Sequence, residues 1–206
     1  RPKLSHWQTR ISAWPGRLNL KYGQQTLNPA WCGSSAVPDR DRWRTPPGVW
    51  RAPLALLGAE RYALDAASDD EPGVTVPAAA SYTAETDGLG SSWAGVPGIA
   101  WINPPFSKAG GGKRAWAERA MWQAGRGWVV AFYCPAYGDR WADLLEARAR
   151  TTIRLGGGRV HHVPPPGTPA GSPLATEHRI WILSSAAEWP YPARTVWDWR
   201  RERWIL

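Results

Sequence analysis

From Ile99 to Leu183 the chain alternates short apolar runs with stretches of helical periodicity, and that alternation leaves few architectures open to it. Ile99-Ala100-Trp101-Ile102 and Trp128-Val129-Val130-Ala131-Phe132-Tyr133 are continuous apolar runs, the pattern of strands covered on both faces. Residues 151–155 and 179–183 read as two further strands, and Arg61-Tyr62-Ala63-Leu64-Asp65 as one that leaves the sheet at an acid. Between them, 113–124 reads as a helix. Residues 139–150 read as an amphipathic helix with Trp141, Leu144, Leu145 and Ala149 on one face. Pro46-Pro47 suits a helix start and Gly58 a stop, although Pro53 falls inside that helix. Residues 66–98 read mostly as loop, with one short strand at 73–76. The predicted fold is therefore α/β, a mostly parallel sheet flanked by helices. In such sheets ligands bind beyond the carboxyl ends of the strands. The residues to inspect are then Asp65, Asn103 and Tyr133-Cys134-Pro135.

Charge is unevenly distributed. Of the formal +8, residues 1–44 hold eight Lys/Arg against two Asp, residues 189–206 hold four Arg against two acids, and the stretch between is neutral. A neutral body with basic ends points to a polyanionic partner. This divides the chain into a basic, loosely structured arm (1–40), a body (41–188) and a basic Trp/Arg-rich terminal segment (189–206), read either as a core-packing helix or as a nucleic-acid contact. The 16 tryptophans are too many for a core alone, and some are expected on surfaces or in a cleft where rings stack on bases. Two distant cysteines, Cys32 and Cys134, and four histidines form no metal-binding spacing, so no metal is expected; His161 and His162 read as solvated loop residues. No apolar stretch suits a membrane span and no apolar run follows the opening Arg-Pro-Lys, which makes a reducing, cytoplasmic setting the expectation.

Asn103-Pro104-Pro105-Phe106 follows a buried strand. Two prolines stiffen the turn and remove two N–H donors, leaving local carbonyls free to accept. Asn adds a side-chain acceptor and Phe a flat apolar face. The set suits a planar aromatic amine, whose N–H groups would bond the Asn103 oxygen and the Pro104 carbonyl while its ring lies on Phe106. Such an amine is a poor nucleophile because its lone pair is delocalised. Acceptors off the ring plane favour a pyramidal nitrogen and expose that pair to a sulfonium methyl group held in line.

With these residues in view, the sequence resembles the phage-type DNA N6-adenine methyltransferases from about Asp41 to Ser184. Asp41-Arg42-Trp43-Arg44-Thr45-Pro46 is similar to the family's opening Trp-x-Thr-Pro, and Leu64-Asp65-Ala66-Ala67-Ser68 to its Leu-Asp-x-Ala-Ala. Asp87-Gly88-Leu89 with Trp93 and Gly95 is similar to its Asp-Gly-Leu…Trp-x-Gly. Trp101 to Phe106 matches the catalytic loop, Trp116 and Ala120 a later helix in which Arg119 replaces the usual Lys, and Gly158-Arg159-Val160 a late Gly-Arg segment. The resemblance implies a Rossmann-like fold, S-adenosylmethionine as methyl donor, DNA as partner and a phage or prophage origin in a bacterial host. It implies a catalytic role for Asn103, Pro104, Pro105 and Phe106. It places Trp43, Thr45, Pro46, Asp65, Ala66 and Asp87 around the donor. The Gly-rich donor loop is replaced by Ala66-Ala67-Ser68-Asp69, and Asp69, Asp70 and Glu71 are equal candidates for the ribose hydroxyls. Lys108, Lys113, Arg114 and Arg159 are the candidate nucleic-acid contacts, and recognition falls to the arm, to 107–113 or to the Gly- and Pro-rich 156–177 segment. Other acceptors with a conjugated NH2 (cytosine N4, an RNA base, a protein glutamine) would suit the same loop, and an inactive DNA-binding module of the same fold is the alternative from another class.

Overall fold

A computed structural model describes residues 41–69, 76–93, 95–105, 111–136, 140–165, 167–169 and 177–205. The arm at 1–40, Cys32, Phe106, Lys108, Asp70, Glu71 and most of the expected 73–76 strand lie outside the described residues.

Buried apolar residues alternate between two clusters along the central strands. In β3 (Ile99–Ile102) Ala100 and Ile102 join one cluster while Ile99 and Trp101 join the other. In β4 (Val129–Pro135) Val130, Phe132 and Cys134 face one side and Ala131 and Tyr133 the opposite. Both faces are dry, which is why these strands are apolar throughout rather than alternately polar. One face is covered by α1 (Pro47–Leu57), the other by α2 (Gly112–Gly125) and α3 (Arg140–Arg148). Helix α1 ends at Gly58 in the left-handed region (φ 66°), and its N–H reaches back to the Leu54 carbonyl. Pro53 sits inside the helix and is buried. In α2, Trp116, Ala117, Ala120 and Ala124 form the buried stripe. In α3, Trp141 and Leu145 pack inward, but Leu144 is 44% exposed. Three residues on from Trp141 it falls at the margin of the stripe, not within it as expected.

The remaining strands are β1 (Tyr62–Asp65), β2 (Ala78–Ser81), β5 (Thr151–Gly156), β6 (His178–Leu183), β7 (Arg194–Asp198) and β8 (Arg203–Ile205). All eight form one sheet in the order β2-β1-β3-β4-β6-β5-β7-β8. The sheet is mixed: most of its strands run parallel, as expected, but two run against the rest. β1 pairs parallel with β2 and β3, β3 with β4, and β5 with β7, but β6 runs antiparallel to both β4 and β5, and β8 to β7. Parallel neighbours need a crossover, usually helical, whereas an antiparallel neighbour does not. The Gly- and Pro-rich connection from β5 to β6 contains no helix among its described residues, and β6 returns in reverse. β1, β2, β3, β4, β5 and β7 therefore share one direction and one carboxyl edge.

Three further expectations change. Tyr133-Cys134-Pro135 lies within β4 rather than after it, because pairing with β6 continues to Pro135↔His178. Strand β2 is Ala78–Ser81, and its small, largely exposed side chains gave no apolar signal. The C-terminal segment is a hairpin, β7 and β8, and not a helix: Arg194-Thr195-Val196-Trp197 adds to β5, and Asp198 turns the chain by accepting the N–H groups of Arg200 and Arg201. Eight of the thirteen described tryptophans are buried (Trp50, Trp93, Trp101, Trp116, Trp128, Trp141, Trp181 and Trp197), so the core takes a larger share of them than expected.

Glu146 of α3 ties that helix to the sheet. Its Oε2 accepts from the buried Trp181 indole N–H at 2.7 Å and from Thr152 at 3.3 Å, and Arg179 and Arg194 lie within 4 Å of the carboxylate. Glu146→Ala strands the Trp181 donor and should lower the unfolding free energy by about 1–3 kcal/mol in urea titration. Glu146→Gln keeps an acceptor and should recover most of that loss.

Candidate active site

A cleft opens at the carboxyl edge of the sheet, where β1 and β3 end. It encloses roughly 550 Å³ of space, part of it continuous with solvent, and its lining includes Trp43, Thr45, Asp65, Asp69, Trp101, Asn103, Pro104 and Pro105. Three chain segments converge. The first is 41–45, ahead of α1; the second is the turn after β1; the third is the turn after β3. Backbone bonds hold them: Ala66 N–H donates to the Trp101 carbonyl at 3.0 Å, joining the second to the third, while Arg44 exchanges two bonds of 2.9 Å with Val163, beyond β5, as an antiparallel bridge. The Arg44 guanidinium donates to Asp69 at 2.8 Å, joining the first two segments through charge.

The Asn103 side-chain oxygen is buried and has no hydrogen-bond partner among the described residues. The Thr45 hydroxyl is in the same state. A buried polar atom without a partner costs about 1–3 kcal/mol, so two of them lining one cleft point to an occupant that satisfies them. Asp65 is 7% exposed, and its carboxylate accepts from the Ala67 N–H at 3.2 Å, an Asx turn rather than a helix cap. Beneath the cleft, the Trp101 ring stacks on Tyr133 (5.8 Å between centroids, 17° between planes) and tilts against Tyr62. Burial, and secondarily Asp65, pushes the Tyr62 phenol well above its usual range, so it stays protonated and donates to the Trp50 carbonyl.

Of the residues implicated by sequence, the cleft brings together Trp43, Thr45, Asp65, Asn103, Pro104 and Pro105. Pro46 is buried beside Thr45 as the N-cap of α1, and Ala66 is in the core; neither is part of the lining. Asp87 is also outside the lining. It lies in the left-handed region (φ 49°) in the 84–90 turn, where its Oδ1 accepts from Leu89 and Gly90. That turn is clamped to α2 by Arg119, which donates to the Ser91 carbonyl and lies over the Trp93 and Trp122 rings. Lys113 and Arg114 occupy the first turn of α2, with Arg114 paired to Glu118 at 2.9 Å. Arg159 is exposed beyond β5. Asp69 alone of the three acid candidates is seen in the lining. Arg44 was not singled out from sequence; its position next to Trp43 was the only signal.

His162 corrects the expectation of a solvated residue. It is 7% exposed and hydrogen-bonded to the Tyr133 hydroxyl at 3.0 Å, with His178 edge-on at 5.8 Å. Its neighbour His161 is exposed. Burial, with His178 adding, holds the His162 imidazole down to about 3 from an ordinary value near 6.5. The neutral ring is the folded form. Its contribution is intact above pH 6.5 and is lost as pH falls toward 3, because the unfolded chain takes up the proton first. Stability at pH 5 should be lower than at pH 7.5 by about 2 kcal/mol from this residue, and His162→Gln should flatten that part of a pH series of thermal melts.

Among the described residues no group of His, Cys, Asp and Glu is arranged to hold a metal ion, and no helix is long and apolar enough to cross a membrane. A mixed α/β sheet with acids, aromatic rings and two buried oxygens without a partner among the described residues at its carboxyl edge has the arrangement in which open α/β sheets hold ligands. Comparison with known families narrows this. The family described as DNA N-6-adenine-methyltransferase (Dam) matches residues 33–170, and the chain belongs to that family. Neither the curated proteins nor the solved structures gave a match.

Proposed function

We propose that the cleft binds S-adenosylmethionine beside an adenine flipped out of DNA and methylates its N6 amine, on a sheet of Rossmann-like type. The buried Asn103 oxygen at the end of β3, without a hydrogen-bond partner among the described residues, carries this reading. A rigid, donor-poor turn with a spare acceptor is what a conjugated NH2 requires. Its two N–H groups bond Asn103 and the Pro104 carbonyl, and Phe106 completes the loop as a stacking face. The donor's sulfonium supplies an electrophilic methyl group when bound. The residues suited to hold it are Trp43 and Thr45, whose hydroxyl lacks a partner, with Asp65 and Asp69. Asp69, which accepts from Arg44 in the cleft lining, is assigned to the ribose hydroxyls. Asn103 would draw the amine out of conjugation and free its lone pair to take that methyl group, and the proton that the nitrogen then sheds would pass to solvent. Acceptors fixed in advance cost no reorganisation as positive charge develops on nitrogen. Extruding the base costs a few kcal/mol, part of which stacking returns.

Family membership supports adenine in DNA over cytosine N4, an RNA base or a protein glutamine. The test is transfer of tritium from methyl-labelled S-adenosylmethionine into DNA, followed by nucleoside analysis. N6-methyladenine is the expected product. Its absence across several duplex and single-stranded substrates, with the donor bound in calorimetry, would overturn the reading; absence of donor binding as well would leave a DNA-binding module of the same fold.

A further inference from the structure

The carboxyl edge that carries the cleft continues past β4 to β5 and β7, and there it is basic. Arg159 projects beyond β5, and Arg200 and Arg201 from the tip of the β7–β8 hairpin; all three are exposed. Their setting is built. The Trp199 indole N–H donates to the Gly158 carbonyl at 3.0 Å, locking the hairpin tip to the turn after β5. Arg200 lies over the Trp199 ring at 5.2 Å, and its guanidinium passes next to Gly158. Gly157 and Gly158 adopt φ values of 86° and 96°, and a side chain on Gly157 would strike the Asp198 carboxylate, so the turn can approach the hairpin only as glycine. The two acids of the hairpin are already engaged, Asp198 in the turn and with Arg201, Glu202 with Arg51 at 2.5 Å. The patch is joined to the cleft by short stretches of chain on both sides. Gly48, against which the Trp199 backbone packs, is three residues past Thr45, and Val163, bridged to Arg44, is four residues past Arg159.

We infer that Arg159, Arg200 and Arg201 hold the phosphate backbone of duplex DNA that flanks the target base, an inference that rests on the adenine methyltransferase reading and assigns that site its second anchor. β7 stands four strands from β3, roughly 20 Å at ~4.8 Å per strand. At about 3.4 Å per base pair, the anchored phosphates lie about six base pairs from the flipped base. Arg200, whose guanidinium lies over the Trp199 ring, is restrained before contact, and a guanidinium offers phosphate two parallel N–H donors.

The experiment measures binding of labelled duplexes by fluorescence anisotropy over a salt series, with donor binding followed by calorimetry. Simultaneous replacement R159A/R200A/R201A should weaken duplex binding at least tenfold at 100 mM salt and reduce the log–log salt slope by about two to three. Donor affinity should be unchanged. Replacement of the same three by Lys should restore most of the affinity. Removing three charges from the opposite edge, R61A/R126A/R194A, should change affinity less than threefold. Wild type should lose affinity when the duplex is trimmed to fewer than about five base pairs on either side of the target, and the triple alanine variant should be indifferent to trimming. Wild-type methylation with an unaltered salt slope in the triple variant overturns this inference alone. Tighter binding of an RNA duplex than of DNA overturns it too. Failure of wild type to methylate any DNA overturns the underlying reading and this one with it.

Discussion

Asn103→Ala should lower kcat for adenine methylation by about 10²–10³-fold, the loss seen when one preorganised acceptor or donor is removed from a reacting centre. The side-chain oxygen has no structural partner among the described residues, so its removal breaks no hydrogen bond within the fold. Melting temperature should therefore stay within 1–2 °C of wild type or rise, since a buried unsatisfied atom is removed. Donor affinity should be held, because Trp43, Thr45, Asp65 and Asp69 remain. Single-turnover methyl transfer, compared with calorimetric donor binding, separates these effects. Full-rate methylation by the alanine variant would remove the acceptor from the mechanism. Asn103→Asp keeps an acceptor oxygen and should retain more activity than Asn103→Ala.

Trp101→Ala is the change expected to harm the fold most. Trp101 is 1% exposed, stacks on Tyr133, tilts against Tyr62 and lines the cleft from below. Emptying such a site costs about 3–5 kcal/mol, part lost transfer energy and part cavity. In a protein of this size the melting temperature should fall by roughly 10 °C. Trp101→Phe should recover about half. Because the ring is under the cleft, donor binding should weaken as well, even at temperatures where the variant is folded. A variant that melts like wild type would mean that neighbouring rings close over the void.

The elements that could be read from sequence are those whose burial is two-sided. β3, β4 and β6 carry apolar runs because helices cover both faces, and α1 is framed by Pro46-Pro47 and Gly58. The reversal of β6 was not legible, since apolar runs do not record strand direction; the absence of a helical pattern before it was the available clue. The C-terminal hairpin was misread because its tryptophans suggested packing without a period. The β-branched pair Thr195-Val196 and the turn-forming Asp198 were the better signals. His162 was misread because burial of a loop residue depends on what the loop packs against, and Tyr133 and His178 are distant in sequence. At the cleft, strand ends were foreseen, which is how Asp65 and Asn103 were found. Asp87 illustrates the limit: a motif resemblance does not reveal that one oxygen of the carboxylate is engaged in its own turn.

The Trp197 indole N–H donates to the Gly48 carbonyl across a separation of 149 residues. Helix α1 is the earliest described element to be synthesised, yet the strand that receives its first turn is nearly the last. The cluster that α1 joins also takes residues from β1, β3 and β4, so its apolar face is covered in stages and its first turn last. That contact closes a long loop, which slows folding, and a chain released before β7 has emerged leaves the first turn of the helix uncovered, a surface on which chaperones or aggregation would act.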